Sequence, residues 1–264
     1  KDKSYIYLMN SRQFRTKKKF GQHFLNNKTI ATEIVRIINF QDFDQIIEIG
    51  PGTGFLTKFI IKKCQPILIE IDEEAVHFLK KNFPKINNII HGDFLKINIK
   101  PFLKSRNLII GNFPYNISTQ ILFKILEIKH SINIVVGMLQ KEVAERICSK
   151  PNSKKYGIIS VLIQAYYNCE IIMNVEKENF TPPPKVESSV IKLERNNVKK
   201  LNCDENQFVH LVKTSFNQRR KKIKNNLKIF EIKSNSKLTK LMEKRPEQLS
   251  VSDFILLTNN ISKQ

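Results

Sequence analysis

The chain has 264 residues, 41% of them hydrophobic, enough for one large domain with a real core and a smaller companion. Lys and Arg number 45 against 24 Asp and Glu, and the resulting charge of +21 favours polyanions and points to nucleic acid as the partner. The four cysteines form no C-x-x-C pair, no apolar run reaches a membrane span of ~18 residues, and KDKSYIYLMN lacks a signal-peptide layout; the expectation is a reduced cytoplasmic protein with no membrane segment and no metal site.

In chain order, a basic arm comes first, with Arg12, Arg15, Lys17, Lys18 and Lys19 in RQFRTKKK. NNKTIATEIVRIINF carries Ile30, Ile34, Ile37 and Ile38 on a helical period. Strand and helix then alternate. QIIEIG, PILIEI, NIIHGD, NLIIGN and INIVVGML read as strands; FLTKFIIKKC, EEAVHFLKKNF, STQILFKILEI and QKEVAERI read as helices. That alternation predicts an α/β fold with a mostly parallel sheet covered on both faces, and ligands bind beyond the carboxyl ends of such strands.

From Tyr156 the pattern changes. YGIISVLIQAYYN reads as a buried helix, and CEIIMNV and SSVIKLER as closing strands around ENFTPPPKV, whose three prolines dictate a rigid extended loop. The polar NNVKKLNCD then links to a small helical domain. Asp204 caps a helix whose stripe is Phe208, Leu211, Val212, Ser215 and Phe216, and Ser250 with Asp253 approximates a capping box. A second basic cluster, Arg219 to Lys222 with Lys224, lies in NQRRKKIK. The expected division is 1–195 and 196–264.

The chemistry concentrates in loops on the strand rim. EIGPGTG sets Gly50, Gly52 and Gly54 between strand and helix, where glycine permits positive φ and close approach of a ligand. Phe55 breaks the G-x-G-x-x-G spacing and no Walker lysine follows, so a pyrophosphate ligand is disfavoured. Glu70 is placed to accept from ribose hydroxyls, and Asp93 from an adenine amine. Together these favour a nucleoside without pyrophosphate, such as S-adenosylmethionine.

GNFPYN, residues 111–116, supplies more than a turn requires. The Asn112 side-chain oxygen and the Phe113 carbonyl can accept the two N–H bonds of an adenine amine, favouring a pyramidal nitrogen with a localised lone pair. Pro114 stiffens the loop, and Tyr115 offers a ring to an unstacked base, with Phe180 expected as the opposite wall. No general base is expected: His23, His77, His91, His130 and His210 are scattered, and the proton of a methylated amine can pass to water.

The combination KKKFGQHFL, EIGPGTGFLT, IEID, GNFPYNIST, LQKEVAERI, FTPPPKVESSV, FNQRRKKIKNNL and EQLSVSDF resembles the bacterial small-subunit rRNA adenine N6,N6-dimethyltransferases of the KsgA type, from about Lys17 to Phe254. The resemblance implies a class I (Rossmann-like) methyltransferase sheet with a helical C-terminal domain. It also implies dimethylation of two adjacent adenosines in the 3′-terminal hairpin loop of small-subunit rRNA, within an assembling subunit and by a monomer. Carried onto matching positions, it makes His23, Leu25, Gly50, Glu70, Asp93 and Asn112 cofactor contacts. His23 stands where many relatives have Asn, and Phe113 where many have Leu. Two alternatives stay open: a large-subunit rRNA methyltransferase of the antibiotic-resistance type, and an assembly factor whose methyl transfer is dispensable.

Overall fold

The computed structural model describes residues 21–232 and 235–261, so the cluster from Arg12 to Lys19 lies outside the described residues. The chain divides into two compact units. The first runs to Ala144 and resumes over Glu170–Glu194; the second comprises Glu145–Cys169 and the chain from Arg195. Residues 145–169, which precede the expected 195/196 boundary, thus group with the C-terminal helices.

In the first unit the strands are β1 (Phe24–Leu25), β2 (Gln45–Ile49), β3 (Ile67–Glu70), β4 (Ile89–His91), β5 (Asn107–Asn112), β6 (Ile132–Gln140), β7 (Tyr167–Val175, whose first residues belong to the second unit), β8 (Phe180–Thr181) and β9 (Ser188–Arg195). Seven of them form one sheet in the order β4-β3-β2-β5-β6-β9-β7, parallel from β4 to β6 with β9 antiparallel to β6. Every residue of β2 and β3 is buried, as expected of strands covered on both faces. The chain first builds outward from β2 to β4, then returns to lay β5 on the other side of β2. That reversal opens a crevice at the carboxyl ends of β2 and β5.

The helices of this unit are α1 (Lys28–Arg36), α2 (Thr57–Ile60), α3 (Glu73–Asn82), α4 (Ser118–Glu127) and α5 (Lys141–Cys148, which runs on into the second unit). Asn27 caps α1 by accepting from the Thr29 and Ile30 amides, and Asp72 caps α3 by accepting from Glu74. The helix read into FLTKFIIKKC has only one regular turn. Around it, bonds of i−3 and i−4 type mix: Phe59 N–H donates to Leu56 and Lys58 N–H to Gly54. Two further differences concern the closing strands. β7 begins at Tyr167, two residues earlier than expected, and the proline loop opens with β8, which pairs antiparallel with β1.

The second unit holds α6 (Ile158–Gln164), α7 (Glu205–Phe216), α8 (Ile223–Asn226), α9 (Ser236–Met242) and α10 (Val251–Asn259). Asp204 caps α7 through the Gln207 amide at 2.8 Å, and Ser250 and Asp253 form the reciprocal box at α10. Phe208, Leu211, Val212 and Ser215 are buried on the predicted stripe. The cations of NQRRKKIK do not form a uniform free patch. Lys222 and Lys224 both pair with Glu243, at 2.8 and 2.6 Å, and Arg219 donates to the Ser153 carbonyl.

Glu48 ties α2 to the sheet. Its carboxyl is 1% exposed and accepts from Thr57 Oγ1 at 2.7 Å. Burial pushes its pKa up from 4.5 to about 8; the Thr57 bond opposes this and the Glu70 charge adds to it. Because the folded value is raised, the stabilising contribution is full below pH 4.5 and is lost as pH rises through about 8. Glu48→Gln keeps an acceptor for Thr57 and removes the titration. Urea unfolding at a series of pH values should therefore show wild-type stability falling relative to the variant across that window; parallel curves would contradict the assignment.

Candidate active site

The glycine loop leaves β2 with φ of +64° at Gly50, +55° at Gly52 and +76° at Gly54, a region that L side chains rarely adopt. At Gly52 close packing adds to the requirement, since a Cβ there would lie 2.4 Å from Phe24 Cε1. The Gly52 amide donates to Glu70 Oε2 at 2.9 Å, and the Asp72 amide to Glu70 Oε1 at 2.9 Å. Glu70 is 4% exposed, and burial raises its pKa against these two bonds. Each of its oxygens retains a second lone pair. Asp93, after β4, accepts from the Leu95 amide through Oδ1 at 2.9 Å.

These groups border a cavity of about 300 Å³, within the range of small-molecule sites. His23, Gly50, Gly52, Glu70, Asp93, Asn112, Phe113, Pro114 and Tyr115, nine of the predicted residues, line it together. Its apolar wall includes Ile49, Ile69, Ile71, Phe94 and Leu95. Although the chain carries +21, no Lys or Arg among the described residues lines this cavity, whereas two carboxylates do. Such a lining suits a nucleoside bearing positive charge and no phosphate, the chemistry of S-adenosylmethionine.

Asn112 ends β5, and its Nδ2 donates to the His23 carbonyl at 2.7 Å. With the amide nitrogen engaged, Oδ1 is the atom left to accept. The Phe113 amide donates to the Met138 carbonyl at 2.9 Å, which fixes the Asn112–Phe113 peptide. The Phe113 ring is fully buried beside Gly111 and Gly137, register partners on β5 and β6. A Cβ on Gly137 would come within 2.6 Å of the ring. The two glycines therefore make room for a ring at this position. The Tyr115 hydroxyl hydrogen-bonds Ser188, and burial raises its pKa.

Two predicted residues do not line this cavity. Phe180 is 1% exposed and packs into the core with Leu25, Phe55 and Leu56; in β8 it faces inward while Thr181 faces out. The His23 ring lies on Tyr115, with centroids 5.3 Å apart and planes at 30°. Leu25 likewise buries its side chain in the core, so only its main chain is left to offer a ligand. Sequence reasoning missed Ser188, which holds Tyr115; Gln22, which donates to Asp72 at 3.1 Å; and Ile71, a 41% exposed apolar side chain on the cavity wall. Ile71 follows the predicted acidic residue directly and was the most findable of the three.

The ring seat yields a test. Gly137→Ala should displace Phe113, shift its carbonyl and lower methyl transfer by about tenfold to a hundredfold. Adding Phe113→Leu should recover much of that loss in single-turnover assays. Failure of the double variant to exceed Gly137→Ala would show that the seat does not set the loop.

A family profile described as "Ribosomal RNA adenine dimethylase" matches residues 13–263. Among curated proteins, "Ribosomal RNA small subunit methyltransferase A" of Cytophaga hutchinsonii is 47% identical over 252 residues, covering 94% of this chain and 98% of the relative. Among solved structures, a dimethyladenosine transferase from Plasmodium falciparum superposes with a TM-score of 0.77 at 25% identity, over 89% of this chain and 96% of that one. The 23S rRNA methyltransferase ErmE shares the fold, with a TM-score of 0.67 at 21% identity over 89% and 99% of the respective chains.

Proposed function

Because the chain belongs to the ribosomal RNA adenine dimethylase family, we propose that it transfers methyl groups from S-adenosyl-L-methionine to N6 of two adjacent adenosines in the 3′-terminal hairpin loop of small-subunit rRNA, leaving each as N6,N6-dimethyladenosine. When bound, the cofactor supplies an electrophilic methyl group on a sulfonium centre. Glu70 would hold its ribose hydroxyls and Asp93 its adenine amine, with His23, Leu25, Gly50, Gly52 and Asn112 completing the contacts.

The target adenine leaves its stack and lies against Tyr115, a contact worth about 1–3 kcal/mol. Asn112 Oδ1 and the Phe113 carbonyl accept the two N6 hydrogens and so localise the nitrogen lone pair. The observation that carries this reading is the Asn112 amide, anchored through its nitrogen to His23 and left with its oxygen as acceptor. The second transfer meets an amine with one N–H, so the pocket must admit a rotated, methylated group that satisfies one acceptor only.

The RNA reaches this pocket within an assembling small subunit in the cytoplasm, and the protein acts as a monomer. The helical region 196–264 serves as the RNA-binding part, with Arg220 and Lys221 as phosphate contacts; among the described residues of NQRRKKIK, these two have no acidic partner. Among the described residues no helix is long and apolar enough to cross a membrane. FTPPPKV and FNQRRK, with the 47% identical relative named for the small subunit, favour that target over the large subunit.

Incubation with purified unmethylated subunits, followed by mass mapping of modified nucleosides, tests the assignment. Dimethyladenosine should appear in small-subunit rRNA alone, and Asn112→Ala should lose both the mono- and the dimethyl product by about a hundredfold or more. Normal dimethylation by the variant, or modification of the large subunit, would refute it.

A further inference from the structure

Asp93 reaches the cavity from a short turn after β4, and that turn is held from behind by a side chain that does not line the cavity. Gly92, Asp93, Phe94 and Leu95 form this part of the wall. The Lys96 and Ile97 amides both donate to the Asp93 carbonyl at 2.9 Å, and the Leu95 amide donates to Asp93 Oδ1 at 2.9 Å. The Ile97 side chain folds back over Gly92, where a Cβ would lie 2.6 Å from Ile97 Cδ1. A turn closed in this way aims its later carbonyls outward, and each needs a donor from elsewhere.

One group supplies both. Lys124 Nζ donates to the Leu95 carbonyl and to the Ile97 carbonyl, each at 2.8 Å. It also lies 5.7 Å from the centre of the buried Phe94 ring, within cation–π range. An ammonium carries three donors and no acceptor, so two bonds to carbonyls set its direction. Lys124 stands in the last turn of α4, where a cation ordinarily serves the final carbonyls of its own helix. Here it leaves the helix and binds a segment 27 and 29 residues earlier.

Leu95 is thereby fixed at both ends, its N–H on Asp93 and its carbonyl on Lys124. We infer that Lys124 is a positioning residue for the methyl donor. By holding the Leu95 and Ile97 carbonyls it keeps the turn, and with it the Asp93 carboxylate, in place to accept the adenine amine of the donor. The inference rests on the reading above that Asp93 receives that amine.

The effect is confined to one end of the ligand. Glu70 is held by the Gly52 and Asp72 amides, and Asn112 by the His23 carbonyl, so neither depends on Lys124. Removing the ammonium strands two carbonyls and frees the turn to swing towards water. Recognition of the adenine amine is then lost, while the ribose contacts and the geometry of transfer remain.

Titration calorimetry with S-adenosylmethionine and with its 6-deamino analogue, which carries purine in place of adenine, tests the proposal. The wild type should bind the amino-bearing donor about tenfold or more tighter, as a hydrogen bond to a carboxylate warrants. Lys124→Met keeps the apolar stem and removes the donors. It should bind S-adenosylmethionine about tenfold more weakly, bind the analogue much as before, and retain a preference of only about twofold. Lys124→Arg, which keeps the charge and several donors, should restore most of the preference. In single-turnover transfer to unmethylated small subunits, the loss in Lys124→Met should appear in the donor concentration at half-maximal rate and not in the plateau. Should Lys124→Met fail to fold, Lys124→Gln, which keeps a two-donor amide on a shorter stem, is read in the same way. An unchanged preference for the amine, an equal loss for both ligands, or a plateau that falls while donor affinity holds would each overturn the proposal. Wild-type protein that binds both ligands equally would instead defeat the role given to Asp93, and the proposal with it.

Discussion

A single buried carboxylate organises the ligand side of this protein. Glu70 sits at the carboxyl end of β3 with 4% exposure, and it is kept there by amides from two different loops, Gly52 before α2 and Asp72 before α3. Leaving such a group unpaired in the interior would cost several kcal/mol. Its pairing therefore dictates where the glycine loop runs. The loop in turn must pass under Phe24, which is possible only because residue 52 has no Cβ. From Phe24 the chain reaches His23, whose carbonyl fixes Asn112. Glu70 and Asn112, at the ends of β3 and β5, are thus joined through contacts among a handful of residues.

Charge is distributed to match. The chain as a whole is strongly basic, but among the described residues the charged side chains that line the cavity are the carboxylates Glu70 and Asp93, set in a largely apolar wall. The long-range field favours polyanions such as RNA, while the described lining of the cavity suits a cationic, unphosphorylated nucleoside. Basic side chains elsewhere are partly consumed by internal pairs, as with Glu243, whose two lysines lower its pKa to about 2. A count of lysines therefore overstates the phosphate-binding capacity of the second basic cluster.

Much of this was legible in the sequence, and the reasons differ by element. Alternating apolar runs and amphipathic segments gave the parallel sheet, because burial on both faces leaves no other pattern for those strands. The places of Gly50, Gly52, Glu70, Asp93 and Asn112 on the cavity rim were legible because each lies at or just beyond a strand end. What escaped was contact between distant segments. The two-residue pairing of Phe24–Leu25 with Phe180–Thr181 is too short to leave a period, and it buries the Phe180 ring in the core. The seat for Phe113 depends on Gly111 and Gly137, which lie 26 positions apart and meet only through strand register. Residues 145–169 group with the C-terminal helices for a similar reason: their apolar residues are locally indistinguishable from sheet-covering helix.

Titration calorimetry with S-adenosylmethionine, comparing the wild type with Glu70→Ala, addresses the central claim most directly. If the buried carboxylate both shapes the glycine loop and receives the ribose, the wild type binds one donor per chain. Truncation then weakens binding by about a hundredfold or more, since a charged hydrogen-bond partner and the loop geometry are lost together. Wild-type protein that binds no donor, or a variant that binds as tightly as the wild type, would contradict it.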